Sequence, residues 1–295
     1  MRILVTGRDG QVARALRAKA GGDVEMIALG RPDLDLAQPA SLVGAVARVR
    51  PDAIVNAAAY TAVDKAEEEE ALATMINGAA AGALAKAAAD LGVPIIQIST
   101  DYVFDGSKAG PYVESDPVAP VNAYGRSKLA GERAVAAANR RHAILRTSWV
   151  YDGEGKNFLK TMLRLAETRD ELGVVADQTG APSYAPDIAD AVIAVARNLV
   201  ADPTPARCGV FHMAGGGETS WAGFATEIFS LSAAAGGPSA RVRGIASADY
   251  PTPAKRPANS RLNCDRLAQA HGARLPDWRD ALARCMRDMN AMTKG

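Results

Sequence analysis

The chain has 295 residues, and its 34 Lys and Arg against 33 Asp and Glu leave a formal net charge of +1 with 23% of residues charged. That length suits one large α/β unit, or a nucleotide-binding unit with a smaller lobe, around a sizeable core. The even charge balance offers no basic excess for a phosphate backbone and no acidic tail, so neither nucleic acid nor a membrane surface is expected as a partner.

Met1 leads directly into Arg-Ile-Leu-Val-Thr-Gly, without the basic segment, apolar core and small-residue cleavage site of a signal peptide. Ile3–Val5 reads as a strand and 11–20 as a helix. Between them, Thr6-Gly7-Arg8-Asp9-Gly10-Gln11-Val12-Ala13 has glycines for a tight turn and close backbone approach, at a helix N-terminus whose N–H groups and dipole suit a pyrophosphate. Gly7 and Gly10 are the cofactor candidates here. Met26–Leu29 reads as the second strand. Dinucleotide sites that prefer NAD often place an acid after this strand, whereas Gly30-Arg31 follows here; Arg31 suits a 2′-phosphate, which favours NADPH, with NADH and a merely solvated Arg31 as the competing readings.

A helix over 39–49, a strand Ala53–Asn56, a helix over 67–91, a strand Ile95–Ser99, a helix over 122–139 and a strand Ala143–Arg146 continue the alternation. The Ala-rich segment 79–89 is broken by Lys86, and no stretch reaches the roughly 20 apolar residues of a membrane helix. The pattern predicts an α/β fold, a doubly wound parallel sheet of Rossmann type with right-handed crossovers. Past residue 150 the rhythm loosens into a helix-like 156–169, a turn-rich 177–187, a helix over 187–200 and a Pro-rich 249–257. We expect 1–150 plus about 184–214 to bind the cofactor, and about 151–183 plus 215–295 to form a smaller C-terminal substrate-binding lobe. Cys208, Cys264 and Cys285 are odd in number and, like His142, His212 and His271, lack metal-type spacing. Free thiols, no zinc site and a cytoplasmic enzyme are expected.

Tyr124-Gly-Arg-Ser-Lys128 lies in a helical pattern, where residues four apart share a face. A neighbouring cation favours the ionised phenol and draws its pKa towards neutrality, so the pair can move a proton. By itself the spacing usually marks a surface pair. It gains weight from Ser99-Thr100-Asp101-Tyr102-Val103-Phe104 at the carboxyl end of a strand, where doubly wound sheets bind ligands. Thr100 would hydrogen-bond a carbonyl oxygen, Tyr124 would protonate it, and Lys128 would tune Tyr124 and contact the nicotinamide ribose. The competing reading of Thr100 is a strand-end hydroxyl bonded to local backbone.

Gly10-Gln11-Val12, Val55 to Glu67, Ser99 to Phe104, Tyr124 to Lys128, Arg146 to Tyr151, Asp177 to Pro182 and Arg256 to Ser260 together resemble the dTDP-4-dehydrorhamnose reductases, extended short-chain dehydrogenases. The resemblance spans nearly the whole chain. It implies reduction of a 4-keto group on a dTDP-linked sugar with NADPH, the last step of dTDP-L-rhamnose synthesis for cell-surface polysaccharide. It implies that Gly10, Gln11 and Val12 hold the pyrophosphate, that Asp35 and Leu36 flank the adenosine, and that Ala59, Tyr60 and Thr61 line the inner wall. Thr100, Tyr124 and Lys128 would be the catalytic set, and Tyr102 and Trp149 would meet the apolar edge of a deoxy sugar. Lys255 and Arg256 are our candidates for the substrate diphosphate. Some family members hold Mg²⁺ with carboxylates between two copies; the corresponding Ala15 and Pro186 offer no side-chain oxygen, so no such metal is expected, and monomer and homodimer both stay open. The rivals are a reductase for another nucleotide-linked 4-keto sugar and a non-catalytic subunit similar to the regulatory beta subunit of methionine adenosyltransferase. The complete set Thr100, Tyr124 and Lys128 speaks against the second.

Overall fold

A computed structural model describes residues 1–292. In its first half β1 (Arg2–Thr6), α1 (Gln11–Ala18), β2 (Glu25–Leu29), α2 (Pro39–Val49), β3 (Ala53–Asn56), α3 (Glu70–Thr74), α4 (Ala80–Asp90), β4 (Ile95–Thr100), α5 (Ala123–Ala138) and β5 (His142–Thr147) alternate. The aliphatic runs Ile-Leu-Val, Ile-Val and Ile-Ile form interior strands because both faces of a parallel sheet are covered by helices.

The second half contributes β6 (Val150–Tyr151), α6 (Phe158–Ala166), β7 (Glu171–Val175), β8 (Thr179–Gly180), β9 (Ser183–Tyr184), α7 (Ala185–Ala201), β10 (Gly209–His212), β11 (Thr219–Ser220), α8 (Trp221–Ala234), β12 (Arg241–Ile245), α9 (Asp265–His271) and α10 (Trp278–Met292). The main sheet has six parallel strands in the order β10-β5-β4-β3-β1-β2, so a strand from the second half closes one edge. Strand order reverses between β1 and β3, and their carboxyl ends meet in register at Thr6 and Asn56. A buried polar row crosses that end: Thr6 Oγ1 donates to Asn56 Oδ1 at 2.5 Å and Asn56 Nδ2 to Gln97 Oε1 at 2.7 Å.

One apolar core lies between the sheet and α1 with α7, and another lies under α2 and α4. A third core, outside the sheet, gathers Leu159, Tyr184, Phe224, Ile228 and Trp278 from α6, β9, α8 and α10. The helix expected over 67–91 runs without a break from Glu70 to Asp90 but is not α-helical throughout. It begins at Glu70 and carries a π segment at Met75–Ala79, because buried Asn77 turns inward to accept from the Tyr60 amide at 2.8 Å and donate to the Tyr60 carbonyl at 3.0 Å and to Ser127 Oγ at 2.9 Å.

Candidate active site

The glycine turn between β1 and α1 opens onto a cavity of about 540 Å³ at the carboxyl end of the sheet. Gly7 has φ +92°, a left-handed conformation suited to glycine, and its N–H donates to the Leu29 carbonyl at 2.7 Å, tying the turn to the end of β2. Gly10 precedes α1, no side chain caps that helix, and a Cβ at Gly10 would project into open space. The first N–H groups of α1 are therefore free for an anionic ligand, and the donor set fits a dinucleotide pyrophosphate.

Gln11, Val12, Ala59, Thr61, Thr100, Tyr102, Tyr124, Lys128 and Trp149 line the same cavity as Gly10. A second cavity of about 560 Å³ shares Val63 and Tyr102 with the first and adds Phe158, Gln178, Trp221 and Arg256. Other candidates lie elsewhere. Leu36 is buried in the core under α2, Asp35 accepts from the Ala37 amide, and the Tyr60 phenol turns to Glu69 at 2.7 Å. Arg31 is exposed beyond β2, and Lys255 is exposed, its carbonyl accepting from Asn122 Nδ2 at 2.8 Å. Arg256 pairs with Asp64 at 2.8 Å, its guanidinium carbon 6.0 Å from the centre of the Tyr102 ring, while its Nη1 is buried without a partner.

Thr100 ends β4 and caps the short 3₁₀ turn Asp101–Val103: its Oγ1 accepts from the Tyr102 amide at 3.2 Å and donates to Asp101 Oδ1 at 3.0 Å. Thr100 also lines the cavity beside Tyr124, so the local capping role and contact with the cavity coexist. Asn122 caps α5 by accepting from the Gly125 amide at 2.8 Å, which sets Tyr124 in the first turn. Gly125 has to be small, since a Cβ there would fall 2.2 Å from the Tyr102 carbonyl oxygen. The Tyr102 and Tyr124 rings meet edge to face at 5.6 Å.

Lys128 lies one turn further along α5, is 4% exposed, and donates from Nζ to the Ile98 carbonyl at 2.6 Å. Burial pulls this ammonium down to about 8, against the raising effect of Glu132. Tyr124 moves the other way. Burial first, then the charge of Asp101, push its phenol above the ordinary 10.0, and Lys128 is not among the groups that lower it. Near neutral pH the phenol is held as O–H, the form a proton donor needs.

Sequence reasoning passed over Asp101 and Arg8. Asp101 is 3% exposed and burial pushes its carboxyl up to about 6, opposed by the Ser260 and Thr100 hydroxyls; its place inside the quoted Ser99–Phe104 segment was the available signal. Arg8, in the glycine turn, packs its side chain against Gly30 at the end of β2 and pairs with Asp33. Nothing local marks that contact, which depends on β1 and β2 being neighbours. Cys208, Cys264 and Cys285 are free thiols. Among the described residues, no group of three or more His, Cys, Asp or Glu is placed to hold a metal ion, and no helix is long and apolar enough to cross a membrane.

The family described as RmlD substrate binding domain matches residues 1–291. A dTDP-4-dehydrorhamnose reductase of Sinorhizobium fredii is 53% identical over 284 residues, covering 96% of each chain. Among solved structures, a dTDP-4-dehydrorhamnose reductase from Clostridium acetobutylicum superposes with a TM-score of 0.91 at 39% identity, covering 98% of this chain and 100% of its own. Another from Bacillus anthracis, solved in complex with NADP, gives 0.89 at 33% identity over 97% of this chain and 99% of its own.

Proposed function

This chain belongs to the dTDP-4-dehydrorhamnose reductase family, and from that premise we propose how its own residues reduce dTDP-4-dehydro-β-L-rhamnose to dTDP-β-L-rhamnose with NADPH. The observation that carries the mechanism is the convergence of Thr100, Tyr124 and Lys128 on the cavity that the uncapped N-terminus of α1 opens into. NADPH, when bound, supplies the hydride to C4 of the sugar. The Tyr124 phenol gives its proton to the carbonyl oxygen as that oxygen gains charge, and the Thr100 hydroxyl donates a hydrogen bond to it, exchanging Asp101 for substrate. Lys128 then provides the positive charge that stabilises the phenolate left behind.

In this reading Gly7, Gly10, Gln11 and Val12 hold the pyrophosphate, Ala59, Tyr60 and Thr61 the inner wall, and Asp35 and Leu36 the adenosine. Tyr102 and Trp149 face the sugar, and Arg256, which lines the second cavity, meets the diphosphate. Lys255 joins it only if its side chain swings inward. Residues 1–150 with about 184–214 bind the cofactor, and about 151–183 with 215–295 bind the sugar nucleotide. We read the enzyme as cytoplasmic, monomeric or homodimeric, with no nucleic-acid or membrane partner.

The test is to supply enzymatically made dTDP-4-dehydro-β-L-rhamnose, follow NADPH absorbance and identify the sugar formed. No turnover, or a product other than dTDP-L-rhamnose, overturns the assignment.

Two further results are expected. Arg8 and Arg31 flank the end of β2, so Arg8→Ala with Arg31→Ala should raise the KM for NADPH about tenfold or more and leave that for NADH nearly unchanged. Equal changes with both cofactors would remove the 2′-phosphate role. Because Lys128 loses its charge near pH 8, kcat/KM should decline above that pH. The sign for stability is opposite: a cation depressed from 10.5 to about 8 penalises the fold while charged, so its contribution improves as pH rises across that window. A flat kcat/KM from pH 7 to 10 would show that the charge is not needed.

A further inference from the structure

Trp149 has φ +49°, a left-handed conformation that a bulky side chain rarely adopts. Its indole is held from two sides. Trp221, the first residue of α8, stacks on it with ring centres 3.7 Å apart and planes 13° from parallel. Gly180 lies against the same ring so closely that a Cβ would fall 2.6 Å from Trp149 Cε2. Pairing of β8 with β11 brings Gly180 to the residues just before Trp221, and Ser220 caps α8 by accepting from the Gly223 amide at 3.0 Å. Phe158 backs Trp221 at 4.6 Å. Trp149 lines the cofactor cavity, Trp221 lines the second cavity, and the stacked pair stands between them.

We propose that Trp221 is a positioning residue for the reduction: it fixes the Trp149 indole as a flat partition against which the hexose of the sugar nucleotide is placed beside Tyr124. The proposal rests on the reductase reading. Without Trp221 the indole at position 149 would lose its stacked partner, and the substrate would have to order it on binding. Stacked against Trp221, that ordering is already done.

Trp221→Leu, Trp221→Phe and Gly180→Ala test this. Stacked indoles couple their transitions, so the wild type should show an exciton couplet in circular dichroism that Trp221→Leu and Gly180→Ala both lose. Both variants should raise the KM for the sugar nucleotide about tenfold, the scale of a lost aromatic contact, with the NADPH KM unchanged. Trp221→Phe, which keeps a flat face, should stay within about threefold of wild type. Wild-type turnover with an unchanged sugar KM in Trp221→Leu overturns the positioning role alone. So does equal damage from Phe and Leu, or a matching rise in the NADPH KM, since either means general disruption. A wild type that does not reduce the substrate overturns the reductase reading itself.

Discussion

Tyr124→Phe is expected to lower kcat by about a thousandfold, within the range of about 10² to 10⁴ that a positioned proton donor contributes, while NADPH still binds. The substitution removes one oxygen and leaves the ring, whose packing edge to face on Tyr102 holds the start of α5 to the Asp101–Val103 turn. Burial and the Asp101 carboxylate keep the phenol protonated across the physiological range, so the wild type presents a donor that no water at that position would match. Thr100 would still offer its hydrogen bond, which is why residual turnover should exceed the uncatalysed rate. Single-turnover kinetics with saturating NADPH, beside a titration of NADPH fluorescence, separate the two effects. A kcat close to wild type would remove Tyr124 as the acid, and lost cofactor binding would make its role structural.

The features legible in the sequence are those set by neighbours in the chain. Ile3–Val5 followed by Thr6–Ala13 announces a strand, a glycine turn and a helix start, and all three stand where the pattern put them. The four-residue spacing of Tyr124 and Lys128 on a helix follows from the same local rule. What was hidden depends on partners far away in sequence. The nitrogen of Lys128 finds the Ile98 carbonyl, thirty residues distant, which no helical spacing reveals. Asn77 converts a turn of predicted α-helix into a π segment to reach Tyr60 and Ser127. Beyond Thr147 the strands β6, β8, β9 and β11 have two residues each, too short to show a period, and their pairing decides where Trp149 and Gly180 meet. The apolar character of α8 reads equally as core from any direction, so its role in the third core and as the platform of Trp221 appears only in three dimensions.

Beneath the site lies an ion pair whose loss should be felt in both stability and activity. Glu132 and Arg146 are 5% and 4% exposed and form two hydrogen bonds, at 2.9 and 2.7 Å, while Ser99 Oγ donates to the same carboxylate at 2.5 Å. Glu132→Gln is expected to destabilise the fold by about 3–5 kcal/mol, because it leaves a guanidinium buried without its counter-charge. The neighbourhood offers that guanidinium little else: Nη1 already lacks a partner, Phe104 presents its ring at 5.0 Å, and nearby His212 is held neutral, its pKa pushed down to about 3 chiefly by burial. Glu132 also lies one turn beyond Lys128 and is the charge that resists the effect of burial on that ammonium, so its removal should shift the basic limb of kcat/KM below pH 8. Replacing both partners, Glu132→Leu with Arg146→Met, removes the stranded charge and should recover most of the lost stability. It should not recover the pH limb, since the ammonium still lacks its carboxylate. Urea denaturation of Glu132→Leu, of Arg146→Met and of the pair, with pH profiles of whatever remains active, distinguishes these effects. Additive losses in stability would mean that the two side chains act independently, and an unmoved pH limb would disconnect Glu132 from Lys128.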